Sequence, residues 1–146
     1  MNSALVEAKL AKLEDEVPVG AVVVMQNKII GRGHNTVIKD HSISSHAEIN
    51  AIADAGKFLK NYRLNHCELY VTLEPCHMCA KAIVDARIKK VFFAAKEPKT
   101  GAIVSRDTFF EKIYLNHYVQ FEYGLMEADS VNLLRSFFKN KRAKVF

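Results

Sequence analysis

Four residues in two short segments have the types and spacing needed to hold a zinc ion and move a proton. Cys76 and Cys79 form a C-x-x-C pair, and His46 lies earlier in the chain. In the first turn of a helix, residues three apart face the same side, so both thiols can bind one ion. Thiolate and imidazole ligands select zinc over magnesium or calcium. Three protein ligands leave the fourth tetrahedral position open for water, which is typical of a catalytic site.

Glu48 supplies the proton-transfer group that such a site needs. It follows His46 by two residues, so the two side chains converge only if the start of their helix points at the metal. The carboxylate would then lie beside the zinc-activated water without being a ligand. It could accept a proton from that water and return it to a substrate nitrogen. We therefore predict a zinc site of His46, Cys76 and Cys79, with Glu48 as general acid and base.

Each of these segments also has a simpler interpretation. A single C-x-x-C pair in a reducing compartment is also typical of a redox pair or a structural zinc site. A single His-Ala-Glu occurs by chance in many proteins. Their order, with each segment opening a predicted helix, favours the catalytic interpretation. Cys67 has no partner at useful spacing, and we predict that it is a small core residue.

The predicted secondary structure places both segments at helix starts. Val6, Leu10, Leu13 and Val17 recur at helical spacing, which predicts a helix up to about Asp15. Two strands followed by alternating helices and strands predict one α/β domain over residues 1–146, with a mixed sheet covered by helices. In chain order, the other predicted elements are a buried strand GAVVVM, a tight turn at Gln26-Asn27, a strand KIIGRGH bulged at its glycines, a loop over 35–45, a helix from His46, a strand over Glu68–Leu73, a helix over Cys76–Ala86 with Pro75 at its first position, a strand over Val91–Ala95, a weak helical stretch around Phe109, a strand near Val119–Phe121 and a helix from about Met126.

The composition excludes several classes of protein. The chain has 146 residues, of which 49% are hydrophobic and 25% charged, and its mean hydropathy is −0.05; this balance is typical of a globular domain. No apolar run approaches the roughly 18 residues that a membrane span needs. The N-terminal segment lacks the apolar core of a secretory signal, and three cysteines do not make a disulfide framework. We expect a cytoplasmic protein with no membrane partner.

The net charge is concentrated at the C-terminus. Lys and Arg total 21 against 16 Asp and Glu, giving +5. The segment RSFFKNKRAKVF holds five cations and no acid, so the rest of the chain balances. Such a segment is typical of a polyanion-binding protein, although cations also suit the C-terminal end of any helix. Phe137 and Phe138 could stack on bases, but their spacing with Leu133 and Leu134 favours core packing for both.

The two metal-binding segments resemble those of a known enzyme family. H-A-E followed by P-C-x-x-C is the signature of the zinc-dependent cytidine/deoxycytidylate deaminase superfamily. The stretches EVPVGAVVV, NYRL, LYVTLEPCHMCAKAI, ARIKKVFFAAKEPKTGA and LNH resemble the bacterial tRNA-specific adenosine deaminase (TadA) family from about Val17 to Arg142. The resemblance implies a cytidine-deaminase-like three-layer fold, with a mixed sheet of about five strands and helices on both faces. It also implies one Zn²⁺ per subunit and no nucleotide cofactor.

The same resemblance implies a substrate and the residues that bind it. The reaction is the hydrolytic deamination of adenosine to inosine at the wobble position of an arginine tRNA, by a homodimer whose RNA site uses both subunits. Val17 and Asn35 would line the pocket of the flipped adenine, with Asn35 hydrogen-bonding the base and the backbone N–H of Ala47 near the ring. The positions that match contacts to the anticodon loop are Glu97, Lys99 and Asn116. The basic final helix would lie beside the RNA.

The chain departs from the family pattern in loops rather than in the metal site. The departures are Ser42-Ile43-Ser44 before the histidine, Glu97 for a common aspartate, Ile103-Val104 for a smaller pair, and Tyr118 for an arginine. Two alternatives therefore stay open. One is a deaminase of a free base, nucleoside or nucleotide of guanine or cytosine type. The other is a zinc module without catalysis, which a fourth protein ligand would favour.

Overall fold

A mixed five-stranded sheet between two pairs of helices forms the fold of this computed structural model, which describes residues 1–145. Phe146, the last residue of the predicted domain and of its basic segment, lies outside the described residues. The elements in chain order are α1 (Asn2–Leu13), β1 (Gly20–Met25), β2 (Lys28–His34), α2 (Ala47–Leu59), β3 (Glu68–Leu73), α3 (His77–Asp85), β4 (Lys90–Ala95), a 3-10 turn (Phe109–Glu111), β5 (Gln120–Tyr123) and α4 (Glu127–Val145).

The strand order is β2-β1-β3-β4-β5, with both parallel and antiparallel neighbours. β1 pairs antiparallel with β2 and β3, whereas β3, β4 and β5 run parallel. The predicted tight turn is confirmed, because Gln26 and Asn27 have φ values of 51° and 63°, as a two-residue hairpin requires. The predicted bulge is also present. The pairing register between β1 and β2 shifts between Val23 and Val24, which leaves Ile30 as the extra residue beside Gly31.

Helices cover both faces of the sheet, which confirms the predicted three-layer α/β fold. α1 and α4 pack on one face, and α2 and α3 on the other. Two glycines bring helices unusually close to the strands. A Cβ on Gly20 would lie 2.1 Å from the carbonyl oxygen of Ala4 in α1, and one on Gly33 would lie 2.4 Å from the backbone nitrogen of Ala51 in α2. Close contact of the helices with β1 and β2 therefore depends on the missing side chains.

The helix predicted at the N-terminus is present as α1, but three of the apolar residues that indicated it do not face the core. Val6, Leu10 and Leu13 are 52%, 40% and 83% exposed. The buried residues are instead Ala4, Leu5, Glu7, Ala8 and Ala11. Ala4 and Ala8 occupy the part of this face beside Gly20, because the backbone of α1 contacts Gly20 there and large side chains would hold the helix away from the strand.

The two aromatic residues predicted to pack together in α4 have different environments. Phe137 is buried at 6% exposure, as predicted, but Phe138 is 43% exposed. The rings meet edge to face, with centroids 5.3 Å apart, so Phe138 lies over its neighbour on the outside of the helix.

Within residues 1–145, no helix combines the length and the apolar character required to cross a bilayer.

Candidate active site

His46 and Cys76 are the N-cap residues of α2 and α3. Their backbones are extended, with φ and ψ of −79° and 154° at His46 and of −76° and 176° at Cys76. Each side chain therefore leaves the chain just before the first helical turn. Pro75 precedes the N-cap instead of occupying the first helical position, so that prediction was wrong by two residues. α2 and α3 pack against each other, which brings their two starts together.

The nitrogen and sulfur atoms of His46, Cys76 and Cys79 converge as predicted. One ligand atom from each lies within 4.8 Å of the others. The Nδ1 atom of His46 is 3.7 Å from the sulfur of Cys76 and 3.4 Å from that of Cys79. Two donors on one tetrahedral zinc ion, at about 2.3 Å for sulfur and about 2.1 Å for nitrogen, would stand about 3.6 Å apart. The donor set and its dimensions therefore fit zinc.

Hydrogen bonding within this cluster shifts the pKa values of the two cysteines in opposite directions. The contact with Cys79 is the main factor that lowers the pKa of Cys76, to about 4. The same contact raises the pKa of Cys79, with burial adding to the effect. A hydrogen bond to Cys76 raises the pKa of His46. One thiolate is thus already present at neutral pH, and thiolate is the form that binds a metal.

Glu48 lies in the first turn of α2, beside the cluster but outside the three-donor group. It is only 4% exposed, and its carboxyl group contacts the Cys79 thiol. Burial raises the pKa of Glu48 to about 7 from an ordinary value of 4.5. A carboxyl group with a pKa near neutrality can both take up and release a proton, which is the requirement for a general acid and base.

A pocket of about 250 Å³ opens beside His46, Cys76 and Glu48. Val17 and Asn35, both predicted to line it, are among its walls. The Oδ1 atom of Asn35 accepts a hydrogen bond from the backbone N–H of Ala47 at 2.8 Å. Asn35 therefore satisfies one of the N–H groups at the start of α2 and offers a ligand chiefly its amide N–H donors. Ala47 is fully buried, and its N–H reaches a ligand only if Asn35 moves.

Of the three residues predicted to contact an RNA loop, Glu97 and Lys99 lie together, since the backbone N–H of Lys99 is 2.9 Å from a carboxylate oxygen of Glu97, whereas Asn116 lies apart. Glu97 lines the pocket, and Lys99 is exposed in a neighbouring groove. Asn116 lies near the opposite end of β4, because Gln120 follows it closely and pairs with Lys90 at the start of that strand. The six residues of β4 separate the two ends, a distance of about 17 Å at 3.3 Å per residue.

The neighbouring groove has a volume of about 620 Å³ and shares Val17, Leu73 and Glu97 with the pocket. The other walls include four cations and an exposed ring: Lys96, Lys99, Arg135, Arg142 and Phe138. Lys141 points elsewhere, since its Nζ atom lies 2.6 Å from a carboxylate oxygen of Asp15. Part of the basic C-terminal segment therefore faces the pocket entrance, and Lys141 is instead paired with Asp15, which follows α1.

Two buried glutamates near the pocket were not predicted from the sequence. The carboxylate of Glu16 accepts backbone hydrogen bonds from Ile38 and Lys39, at 3.1 and 2.8 Å. Glu74 accepts hydrogen bonds from the segment after β4. Burial raises the pKa of Glu74, but hydrogen bonds from Ser105 and neighbouring backbone groups outweigh burial and bring this pKa below its ordinary value. The available sequence signal was position, because Glu16 directly precedes Val17 and Glu74 directly precedes Pro75, two residues already predicted to lie near the site.

Comparison with known proteins places the chain among deaminases. The model of the MafB19-like deaminase family matches residues 1–142. A tRNA-specific adenosine deaminase of Agrobacterium fabrum is 44% identical over 142 residues, covering 97% of this chain and 93% of that protein. A solved structure from studies of A-to-I editing by tRNA:A34 deaminases has a TM-score of 0.89 and 42% identity, covering 92% of this chain and 97% of that chain. A guanine deaminase of Bacillus subtilis has a TM-score of 0.64 and 35% identity, covering 83% and 80%.

Proposed function

We infer the function from one premise, that this chain belongs to the MafB19-like deaminases and, within them, to the family of the bacterial tRNA-specific adenosine deaminases. It is an enzyme that hydrolytically deaminates adenosine in tRNA to inosine. The observation that carries this conclusion is the three-donor cluster of His46, Cys76 and Cys79, with the buried carboxyl group of Glu48 beside it. The target we propose is the wobble adenosine of an arginine tRNA.

The metal we propose is one zinc ion per chain, held by His46, Cys76 and Cys79. When bound, zinc supplies Lewis-acid activation of water, whose pKa it lowers to about 7. Among the described residues, no fourth His, Cys, Asp or Glu joins this group of donors. This argues against the non-catalytic zinc module, since structural zinc sites have four protein ligands.

Glu48 moves the protons of the reaction. Its carboxylate accepts a proton from the attacking water and passes it to N1 of adenine as the C6–O bond forms. Glu48 then takes the proton of the new C6 hydroxyl and gives it to the leaving amine, so that the C6–N bond breaks, C6=O forms and ammonia departs. Water is consumed and no oxidant or reductant is needed. Asn35 offers N–H donors to the base, and Val17 forms an apolar part of the wall.

The tRNA partner fits the surface beside the pocket. A base in an anticodon loop is already unpaired, so turning it into a pocket costs less than extracting it from a duplex. The cations and the exposed Phe138 ring of the neighbouring groove suit phosphates and a flanking base. Because tRNA is the substrate, we propose that the enzyme acts in the cytoplasm.

A homodimer would reconcile the positions of the RNA-contacting residues. Glu97 and Asn116 lie near opposite ends of β4, about 17 Å apart along that strand. If both contact the same anticodon loop, a second copy of the chain can bring its Asn116 to the RNA. Light scattering of the purified protein tests this directly: a mass of two chains is expected, and a monomer that is active at all concentrations contradicts it.

The function is tested by incubating the zinc-loaded protein with arginine tRNA and, separately, with free adenosine, cytidine and guanine. We expect inosine at the wobble position and no release of ammonia from the free compounds. The matched control is Glu48→Gln, which has nearly the same volume and should give no inosine. If the protein releases ammonia from guanine and leaves the wobble adenosine of the tRNA unchanged, the result would instead support a free-base deaminase, the activity named for the Bacillus subtilis relative.

A further inference from the structure

Glu74 is a buried carboxylate that organises the segment following β4. It is 3% exposed. One oxygen accepts the backbone N–H groups of Ile103, Val104 and Ser105, at 3.0, 2.9 and 3.0 Å. The other accepts the backbone N–H of Glu97 at 3.0 Å and the Ser105 hydroxyl. Five donors from one loop therefore surround a single side chain.

This arrangement has the chemistry of an anion-binding nest occupied by the protein's own carboxylate. Three successive backbone N–H groups converge on one oxygen, as they do around bound anions in loops of this kind. Hydrogen bonds to an ionised acceptor are about twice as strong as those between neutral groups. Because the donors fill the positions around both oxygens, Glu74 is not free to exchange protons with a substrate. It is distinct in this respect from Glu48.

Gly101 lies against the same carboxylate, at a position where no side chain would fit. A Cβ at Gly101 would lie 2.3 Å from the carboxyl carbon of Glu74 and 2.5 Å from each oxygen. Real Cβ atoms do not approach so closely, and the carboxylate cannot retreat without breaking its hydrogen bonds. The loop and the side chain therefore define each other's positions.

The fixed segment forms one wall of the pocket. Glu97 and Thr100 line the cavity that also contains Cys76, and Glu74 is separated from Cys76 by Pro75 alone. Resting on the proposed function, we propose that Glu74 is a positioning residue that holds the 97–105 segment against the ligand-bearing start of α3 and thereby controls the productive binding of the tRNA nucleoside. Its effect falls on substrate binding and leaves the chemical step to Glu48.

The test is Glu74→Gln, which replaces one acceptor oxygen by an amide NH₂ that faces N–H donors. We expect KM for tRNA to rise at least about tenfold, because a displaced pocket wall weakens binding of the substrate and of the transition state alike. Zinc content should stay at one per chain, and the single-turnover rate at saturating tRNA should stay within about threefold. The exposed Glu111→Gln variant is the matched control and should change neither parameter. An unchanged KM, or a loss confined to the single-turnover rate, would overturn the proposal.

Amide hydrogen exchange provides a readout independent of activity. In Glu74→Gln, the N–H groups of 103–105 should exchange at least about tenfold faster, while those of β3 stay unchanged. Gly101→Ala perturbs the same contact from the loop side and should raise KM in the same way. It also serves if Glu74→Gln does not fold. Faster exchange without tRNA deamination by the wild type would refute the proposed function alone, whereas tRNA deamination with unchanged exchange would refute the role of Glu74.

Discussion

Replacing Glu48 by glutamine should remove a pH-dependent loss of stability from the metal-free protein. The pKa of Glu48 is raised by burial to about 7, against an ordinary value of 4.5. The folded state therefore keeps this proton to a higher pH than the unfolded state does. The carboxyl contributes stability below pH 4.5, and this contribution is lost as the pH rises through 7. Glutamine carries no ionisable proton and shows no such loss.

The size of the effect follows from the two pKa values. At 1.36 kcal/mol per tenfold change, the full difference is worth about 3 kcal/mol, of which about 2.5 kcal/mol develops between pH 5 and pH 8. Because Glu48 is 4% exposed, solvent screens little of this amount. In the same interval, the metal-free Glu48→Gln variant should gain this stability relative to the wild type.

Urea unfolding with a chelator and a reductant measures the free energy of unfolding at each pH. The control is Glu111→Gln, an exposed carboxyl for which the two pH profiles should run parallel to the wild type. If the pH profile of Glu48→Gln also runs parallel to that of the wild type, burial does not penalise the charged form of Glu48. The explanation of its proton transfer by a raised pKa would then be wrong.

Three further predictions concern the metal, the RNA and the packing of α2. Cys76→Ala should retain less than about a tenth of the zinc by elemental analysis, whereas the buried control Cys67→Ala should keep it; stoichiometric zinc in the first variant removes Cys76 from the ligand set. Arg142→Gln should reduce the slope of log Kd for tRNA against log salt by about one. Lys141→Gln should change the slope less, because the charge of Lys141 is paired with Asp15. If the two variants have the same slope, the groove is not the RNA-binding surface. Gly33→Ala should cost about 1–3 kcal/mol in urea unfolding and lower single-turnover deamination by about 100-fold, because its Cβ would push α2 away from β2; full activity in a destabilised variant would show that α2 keeps its position.

The sequence was sufficient where chemistry and local pattern coincide. The run Gly20–Met25 was predicted as a buried strand to the residue, because β-branched residues follow one another between turn signals. His46 and Cys76 were predicted at helix starts, and the structure has both as N-cap residues. The residues proposed to bind the metal were recognisable because few residue types bind zinc and because Cys76 and Cys79 are closely spaced.

What could not be predicted depends on contacts distant along the chain. The buried face of α1 depends on Gly20, which lets Ala4 and Ala8 come close to β1, and no periodicity within α1 reveals this contact. Glu74 is recognisable only once the N–H groups of 103–105 surround it. Phe138 directly follows buried Phe137, so the two side chains point to different sides of α4, and contacts with the rest of the chain decide which side is covered.

The extended residues that begin α2 and α3 reveal a conflict between durability and catalysis. Ser, Thr, Asp or Asn at such a position usually adds about 1 kcal/mol by bonding the first free N–H groups, and neither His46 nor Cys76 makes this side-chain bond. Cys76→Ser is therefore expected to raise the free energy of unfolding of the metal-free protein while abolishing metal binding. Selection for thermal stability alone would favour this substitution and lose the activity. Both helix starts are thus places where the chain forgoes robustness in order to have a reaction centre.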